Sequence, residues 1–224
     1  MGISSEILRL KEELPSTVKL VAVSKFNPAE AIQEAYDAGQ RIFAESRPQE
    51  MQQKVAVLPS DIQWHFIGHL QTNKLKMVLP YVSLVHSVDS ERLLSEISKY
   101  AVKNGLNIRC LLEVFIAQEE SKQGFSEEEL FDLLARFSAA PLPGVEICGL
   151  MGMASFTDDQ EQIRDEFARL KGIFDRARDK YVSTLPGFSE LSMGMSGDYK
   201  IAVGYGSTMV RIGTTIFGAR NYNK

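Results

Sequence analysis

The chain has 224 residues, of which 44% are hydrophobic and 24% charged, and its formal net charge is −4. A chain of this size and composition can bury a full hydrophobic core without disulfides or metals. The acidic balance argues against nucleic acid as the main partner, because phosphate-backbone binding needs a concentrated basic surface. We expect a cytoplasmic protein, since no apolar run could span a bilayer and the first residues lack the apolar core of a secretory signal.

Short apolar runs rich in β-branched residues alternate with helical periodicity along the whole chain. The predicted strands are residues 18–23, 41–44, 63–67, 82–85, 108–116, 145–151, 190–192 and 209–213. The predicted helices between them are residues 29–38, 47–57, 71–79, 90–104, 126–137, 158–181 and 198–203, and one more helix precedes the first strand.

Capping signals support several of these boundaries. Gly39 follows the helix over residues 29–38, where a left-handed cap is common. Ser90 stands at a helix start as a typical N-cap, and Ser126 with Glu129 has the spacing of a capping box.

Eight strand-like runs alternating with helices predict βαβ units and a parallel sheet. The strands read as apolar on both faces, which is typical of a sheet covered by helices on one side and filled on the other. We therefore predict an α/β fold, a closed (β/α)8 TIM-type barrel with one extra N-terminal helix, formed as a single domain over residues 1–224.

The active sites of such barrels lie at the carboxyl ends of the strands, and Lys25 ends the first strand. It has the same strand parity as Val21 and Val23, so an inward-facing amine would be partly desolvated. Desolvation makes an amine nucleophilic, as Schiff-base chemistry requires. The alternative is an ordinary lysine that reaches from a strand end into solvent.

The last two strands carry the residues expected to bind phosphate. Loops after strands seven and eight of these barrels frequently hold phosphate. Ser192 ends the seventh strand, and Arg211, Gly213 and Thr214 end the eighth. Gly213 allows close approach of a ligand, and Arg211 can donate to a phosphate or a ring nitrogen. The alternative is a glycine-rich turn beside a satisfied arginine, and residues 193–197 are either a phosphate-binding loop or a flexible connection.

Neither the cysteines nor the histidines have the spacing of a metal site. Cys110 and Cys148 lie in apolar runs and are predicted to be buried free thiols. His65, His69 and His86 are predicted to be structural or loop histidines.

Motifs over nearly the whole chain form a recognisable combination. They are VAVSK (21–25), WHFIGHLQTNK (64–74), HSVDS (86–90), EESKQG (119–124), GLMGM (149–153), LSMGMS (191–196) and GSTMVRIG (206–213). In these motifs the chain resembles the pyridoxal 5′-phosphate (PLP) homeostasis protein family, the YggS/PROSC-like proteins.

The resemblance implies a barrel similar to that of alanine racemase, the PLP fold type III, with one PLP. It implies that Lys25 holds PLP as a Schiff base. By the same resemblance Ser192, Gly213 and Thr214 would hold the phosphate, and Arg211 would face the pyridine nitrogen.

The chain departs from the family pattern at two positions near the expected cofactor. Ser46 stands where the family has the asparagine of its Phe-Gly-Glu-Asn motif, and we count it as a cofactor-binding position. Phe115 replaces another family asparagine. Lys122 matches a family lysine, with a role either as a secondary aldehyde acceptor or in a surface salt bridge.

These expectations favour a monomeric PLP carrier and buffer that contacts PLP-dependent apo-enzymes transiently. An arginine opposite the pyridine nitrogen disfavours its protonation and weakens the electron sink. We expect no further domain to supply the second acid–base group of a racemase, for which only Tyr205 is a conceivable substitute. The alternatives are a fold type III amino-acid racemase or lyase and, more weakly, a phosphosugar enzyme without a Schiff base.

Overall fold

The computed structural model describes residues 2–118 and 123–218. Eight parallel strands form a closed barrel in which each strand pairs with the next along the chain and the eighth pairs with the first. The strands are β1 (Lys19–Val23), β2 (Ile42–Glu45), β3 (Gln63–Phe66), β4 (Val82–Val88), β5 (Ile108–Glu113), β6 (Val145–Met151), β7 (Glu190–Met195) and β8 (Met209–Ile212).

Helices connect the strands and cover the outside of the barrel. They are α1 (Ile3–Glu13), α2 (Ala29–Asp37), α3 (Pro48–Val55), α4 (Leu75–Val78), α5 (Glu91–Asn104), α6 (Glu127–Ala139), α7 (Gln160–Tyr181), α8 (Tyr199–Gly204) and α9 (Thr214–Phe217). The predicted (β/α)8 barrel with an extra N-terminal helix is confirmed. Among the described residues, no helix is both long and apolar enough to cross a membrane.

The predicted caps at the starts of α5 and α6 are confirmed. The Ser90 hydroxyl accepts a hydrogen bond from the backbone N–H of Leu93 at 3.3 Å. Ser126 and Glu129 form the reciprocal capping box, with distances of 2.7 and 3.2 Å. Each cap satisfies N–H groups that the first helical turn leaves without partners.

Several element boundaries differ from the predictions. For the strands, the reason is that pairing with a neighbouring strand continues further, or ends sooner, than the sequence pattern indicates. β7 continues to Met195, where it pairs with Arg211 of β8, so the segment predicted to be a loop over residues 193–197 is partly strand. β5 ends at Glu113, and the next residues pair locally with Phe125 instead. The predicted helix over residues 71–79 is a 3₁₀ turn followed by the short α4, and α9 was not predicted.

Alternate residues of each strand build two separate layers of the core. Outward-facing residues such as Ala22 and Val210 pack under the helices, whereas inward-facing residues such as Val21 and Met209 fill the barrel. Cys110 and Cys148 are both buried free thiols, as predicted. Because this alternation continues along the strands, it also determines which polar side chains enter the interior.

Candidate functional site

Lys25 lies at the carboxyl end of β1, beside the end of β8. Val21 pairs with Arg211, and the carbonyl oxygen of Val23 lies 3.1 Å from where a Cβ on Gly213 would stand. Lys25 follows Val23 by two residues and is half-buried. The first and last strands therefore bring the lysine and the Gly213 turn to one edge of the barrel.

Backbone N–H groups at the start of α9 converge on a single oxygen. The N–H groups of Gly213 and Thr215 point to the Ser196 hydroxyl oxygen, at 3.3 and 3.5 Å. A side chain at position 213 would press against Val23, so glycine allows this close packing. Thr214 is exposed next to these groups. Converging N–H donors form a cradle that suits a phosphate oxygen.

Ser192 lies deeper than the cradle, within the barrel. Its hydroxyl accepts a hydrogen bond from Nη1 of Arg211 at 2.7 Å and lies 3.0 Å from Nδ1 of His86. Because β7 extends to Met195, Ser192 precedes the barrel edge by three residues and is completely buried. The serine whose hydroxyl lies against the Gly213 turn is Ser196, and the role of Ser192 in phosphate binding stays a prediction.

Arg211 is a buried cation that points into the barrel from β8. Besides the Ser192 hydroxyl, its guanidinium donates to the carbonyl oxygens of Ser192 at 2.9 Å and Gly152 at 3.1 Å. Burial lowers the pKa of Arg211 to about 10, against the opposing charges of Glu113 and Asp198. The group therefore remains cationic at neutral pH, held in one orientation by neutral oxygens.

A hydrogen-bonded chain continues from Arg211 through the barrel. Nε2 of His86 lies 2.9 Å from Nδ1 of His65, and both rings are buried. The donors and acceptors along this chain are consistent when Arg211 donates to Ser192, Ser192 to His86, and His86 to His65. Both histidines were predicted to be structural, and the structure places them in the barrel interior. Their link to Arg211 was missed because sequence spacing does not show which strands face each other.

Acid is expected to destabilise the protein partly through these two imidazoles. Burial lowers the pKa of His65 to about 3, and burial likewise lowers the pKa of His86 well below its usual range. The unfolded chain therefore binds these protons at higher pH than the folded protein. The loss of stability begins as the pH falls below about 6.5, and for His65 it continues towards about pH 3, by up to about 1.4 kcal/mol per pH unit. His86 acts in the same direction.

Urea unfolding of the wild type and His65→Gln at several pH values tests this expectation. The glutamine oxygen can still accept from His86 but cannot titrate. We expect the unfolding free energy of the variant to fall less steeply between about pH 6 and pH 4. Parallel curves for the two proteins would contradict the assignment.

Glu113 is a further buried ionisable group, at the carboxyl end of β5. Glu113 has the same strand parity as Leu111, which belongs to the interior layer, and the Glu113 side chain is buried. Burial raises its pKa to about 7, Asp89 adds to this effect, and Arg211 opposes it. Glu113 was not predicted as a site residue, although its parity with Leu111 was a usable signal.

The remaining predicted positions lie around the barrel mouth or outside the described residues. Ser46 directly follows β2, and a Cβ on Gly68 would overlap its carbonyl oxygen. Phe115 is half-buried after β5, and its N–H donates to the Phe125 carbonyl at 2.9 Å. His69 is exposed on a loop, where Nδ1 lies 3.1 Å from Asp89. Lys122 lies outside the described residues.

Two further predictions concern residues away from these positions. Tyr205 lies at the end of α8, shortly before β8 begins, and thus near the amino-terminal edge of the barrel. Tyr205 therefore lies at the other end of the barrel from the cradle, away from where the second acid–base group of a racemase would be needed. Within residues 2–118 and 123–218, no group of three His, Cys, Asp or Glu side chains could hold a metal ion.

The closed barrel, with its strand-end lysine and anion cradle, defines a protein of the alanine racemase N-terminal domain class. The family model "Alanine racemase, N-terminal domain" matches residues 3–221. A pyridoxal phosphate homeostasis protein of Aquifex aeolicus is 40% identical over 205 residues, which cover 91% of this chain and 88% of the relative. The chain belongs to the pyridoxal phosphate homeostasis protein family.

Two solved structures of a related protein share the fold closely. PipY of Synechococcus elongatus without PLP has a TM-score of 0.91 and 36% identity, covering 97% of this chain and all of that one. PipY with PLP bound has a TM-score of 0.87 and 34% identity, with the same coverage of both chains.

Proposed function

We propose that this chain binds PLP covalently through Lys25 and acts in PLP homeostasis, as a carrier and buffer rather than a catalyst. The observation that carries the proposal is the juxtaposition of Lys25 with the cradle at Gly213 on neighbouring strands. The name of the Aquifex relative and the PLP-bound form of PipY support it. PLP would supply an aldehyde, which the amine attacks with loss of one water as the C=N bond forms.

The residues at the mouth have complementary parts in binding this cofactor. The N–H groups of Gly213 and Thr215 and the hydroxyls of Ser196 and Thr214 would hold the phosphate. Arg211 would face the pyridine nitrogen and disfavour its protonation, because a fixed cation repels a second positive charge. Such a site binds the cofactor while weakening the electron sink on which amino-acid chemistry depends.

Borohydride reduction followed by peptide mapping tests the proposed attachment. The protein is incubated with PLP, reduced, digested and analysed by mass spectrometry. We expect the pyridoxyl mass increment on the peptide that carries Lys25. An increment confined to surface lysines, or no violet absorbance after incubation, would reject covalent binding at this site.

Serine substitutions distinguish the cradle from the deeper hydroxyl. We expect Ser196→Ala to weaken PLP binding about tenfold, equivalent to about 1.4 kcal/mol, while leaving the affinity for pyridoxal, which lacks the phosphate, nearly unchanged. Ser192→Ala should instead act on stability, because it removes a buried partner of Arg211 and His86. If only Ser192→Ala lost the preference for PLP over pyridoxal, the phosphate would be bound by Ser192, as the sequence predicts.

A racemase or lyase is the second candidate function, and Glu113 is the observation that favours it. A buried carboxyl with a pKa of about 7 could exchange protons near neutral pH. Incubating the PLP-loaded protein with D- and L-amino acids in deuterated water decides between the two. Deuterium at the α-carbon that disappears in Glu113→Gln would establish catalysis, and its absence with the wild type supports the carrier.

We further propose a monomer in the cytoplasm that meets apo-enzymes transiently to deliver PLP. The two buried free thiols agree with a reducing compartment. Sedimentation at several protein concentrations tests the monomer. Transfer rates that rise with apo-enzyme concentration beyond the release rate of free PLP would demonstrate direct contact.

A further inference from the structure

A second lysine, Lys54 of α3, is buried beneath the turn that carries Lys25. Its Nζ donates to the Ser24 carbonyl oxygen at 2.9 Å, and to Oε1 of Glu45 and Oε1 of Glu50, both at 2.7 Å. An ammonium group has three N–H donors, and each finds an oxygen here. Only 7% of the Lys54 side chain is exposed.

Lys54, Glu45 and Glu50 together contact the residues on both sides of Lys25. The Ser24 hydroxyl donates to Oε1 of Glu45 at 2.6 Å, and the N–H of Phe26 donates to Oε1 of Glu50 at 2.6 Å. The residue before the lysine is thus bound through its carbonyl and hydroxyl groups, and the residue after it through its N–H.

The turn itself has a conformation that needs support. Phe26 adopts a φ of 68°, which no other described non-glycine residue has in the positive range. A left-handed conformation is unfavourable for a residue with a side chain, because Cβ approaches the following carbonyl oxygen. The hydrogen bond from Phe26 to Glu50 therefore offsets an intrinsic tendency of this turn to relax.

We propose that Lys54, Glu45 and Glu50 form a clasp that positions Lys25 for attack on the PLP aldehyde and withholds the amine of Lys54 from the same reaction. The inference rests on the proposed function. Lys54 acts through the backbone of residues 24–26 and is a positioning residue. With its three N–H donors occupied and little of its side chain exposed, its nitrogen offers no lone pair to an aldehyde.

A role in stability alone does not explain this arrangement. Burying charged groups costs desolvation energy, and apolar residues of similar volume often serve stability equally well. One buried oxygen of Glu45, Oε2, has no hydrogen-bond partner among the described residues. A cluster retained only for stability would be expected to satisfy that atom. Each acceptor of Lys54, in contrast, either belongs to the Lys25 turn or accepts a second hydrogen bond from it.

Lys54→Met removes the ammonium and keeps an unbranched side chain of similar length. Burial raises the pKa of Glu45, and Lys54 opposes that shift, so without Lys54 the carboxyl can take up a proton instead of remaining a buried anion. We therefore expect the variant to fold. Lys171→Met on α7 is the matched control, since Lys171 also pairs with an acid four residues away, Asp175.

The readouts are the rate at which violet absorbance appears after mixing with PLP and the distribution of borohydride-trapped label among lysines. In Lys54→Met we expect the rate to fall about tenfold, as a displaced reacting group typically causes, and label to spread beyond Lys25. Lys54→Arg should restore both, because a guanidinium can donate to the same oxygens. Lys171→Met should match the wild type.

Each outcome decides the proposal. A folded Lys54→Met variant with wild-type rate and label distribution overturns the clasp, as does failure of Lys54→Arg to restore them. If Lys54→Met does not fold, Glu50→Ala decides, since it removes the partly exposed carboxylate that accepts from both the Phe26 N–H and Lys54 while leaving Lys54 its other two acceptors. We expect about a threefold slower reaction, and a wild-type rate would overturn the clasp. A wild-type protein without label at Lys25 would instead reject the proposed function itself.

Discussion

Lys25→Ala is expected to abolish the violet absorbance of the PLP-treated protein and to lower the affinity for PLP at least about a hundredfold, or about 2.7 kcal/mol. The phosphate cradle and Arg211 remain in this variant, so weak noncovalent binding should persist. Lys54, the buried lysine beneath the same turn, donates to three oxygens and is not expected to replace Lys25. Absorbance titration and equilibrium dialysis measure the two effects separately.

The control for this experiment is Lys76→Ala, which changes an exposed lysine on α4. It should bind PLP like the wild type, since Lys76 belongs to neither the cradle nor the clasp. Retention of the full absorbance by Lys25→Ala would show that a different amine carries the cofactor. In that case the location of Lys25 beside Gly213 would have no functional meaning.

Gly149→Ala is expected to destabilise the barrel by roughly 3 kcal/mol or more. Gly149 of β6 has a φ of 150° and lies where the pairing with β5 shifts register. A Cβ there would overlap the carbonyl oxygen of Glu190 in β7, which is backbone and cannot move aside without disturbing the sheet. For a chain of this size the melting temperature should fall by about 6–12 °C.

Gly172→Ala on α7 is the matched control and should have the opposite sign. Apart from the adjacent residues and the nearby backbone of the helix itself, no described atom lies within 4 Å of where its Cβ would stand. Alanine in a helix interior is favoured over glycine by roughly 0.5–1 kcal/mol. Thermal unfolding of both variants compares the same chemical change at two sites, and equal melting temperatures would contradict the steric explanation.

The fold could be predicted from the sequence because its signals are local. Capping residues such as Ser90 and the Ser126–Glu129 pair act within one helical turn, so their identity and spacing suffice. Apolar runs and helical periodicity likewise depend on near neighbours, and their alternation led to the barrel. The resemblance of the motifs added the cofactor and the roles of Lys25 and Arg211.

The arrangement of the site was harder to predict because it depends on contacts between distant segments. The length of β7 is set by pairing with β8, and that pairing places Ser192 inside the barrel and Ser196 at its edge. Single-sequence patterns did not reveal where the pairing ends. The sequence pattern therefore identifies the strand that carries both serines but leaves open which of the two, four residues apart, lies at the cradle.

By itself, the sequence determined the alternation of strands and helices, the starts of α5 and α6 and the lysine at the end of the first strand, since each follows from residues close together in the chain. Only the tertiary structure decided that Ser196 faces Gly213, that Glu113 is buried, and that Lys54 holds the turn around Lys25. Closure of the barrel is the physical reason. It makes β1 and β8 neighbours and packs α3 beneath the first turn, so that residues remote in sequence share one small volume.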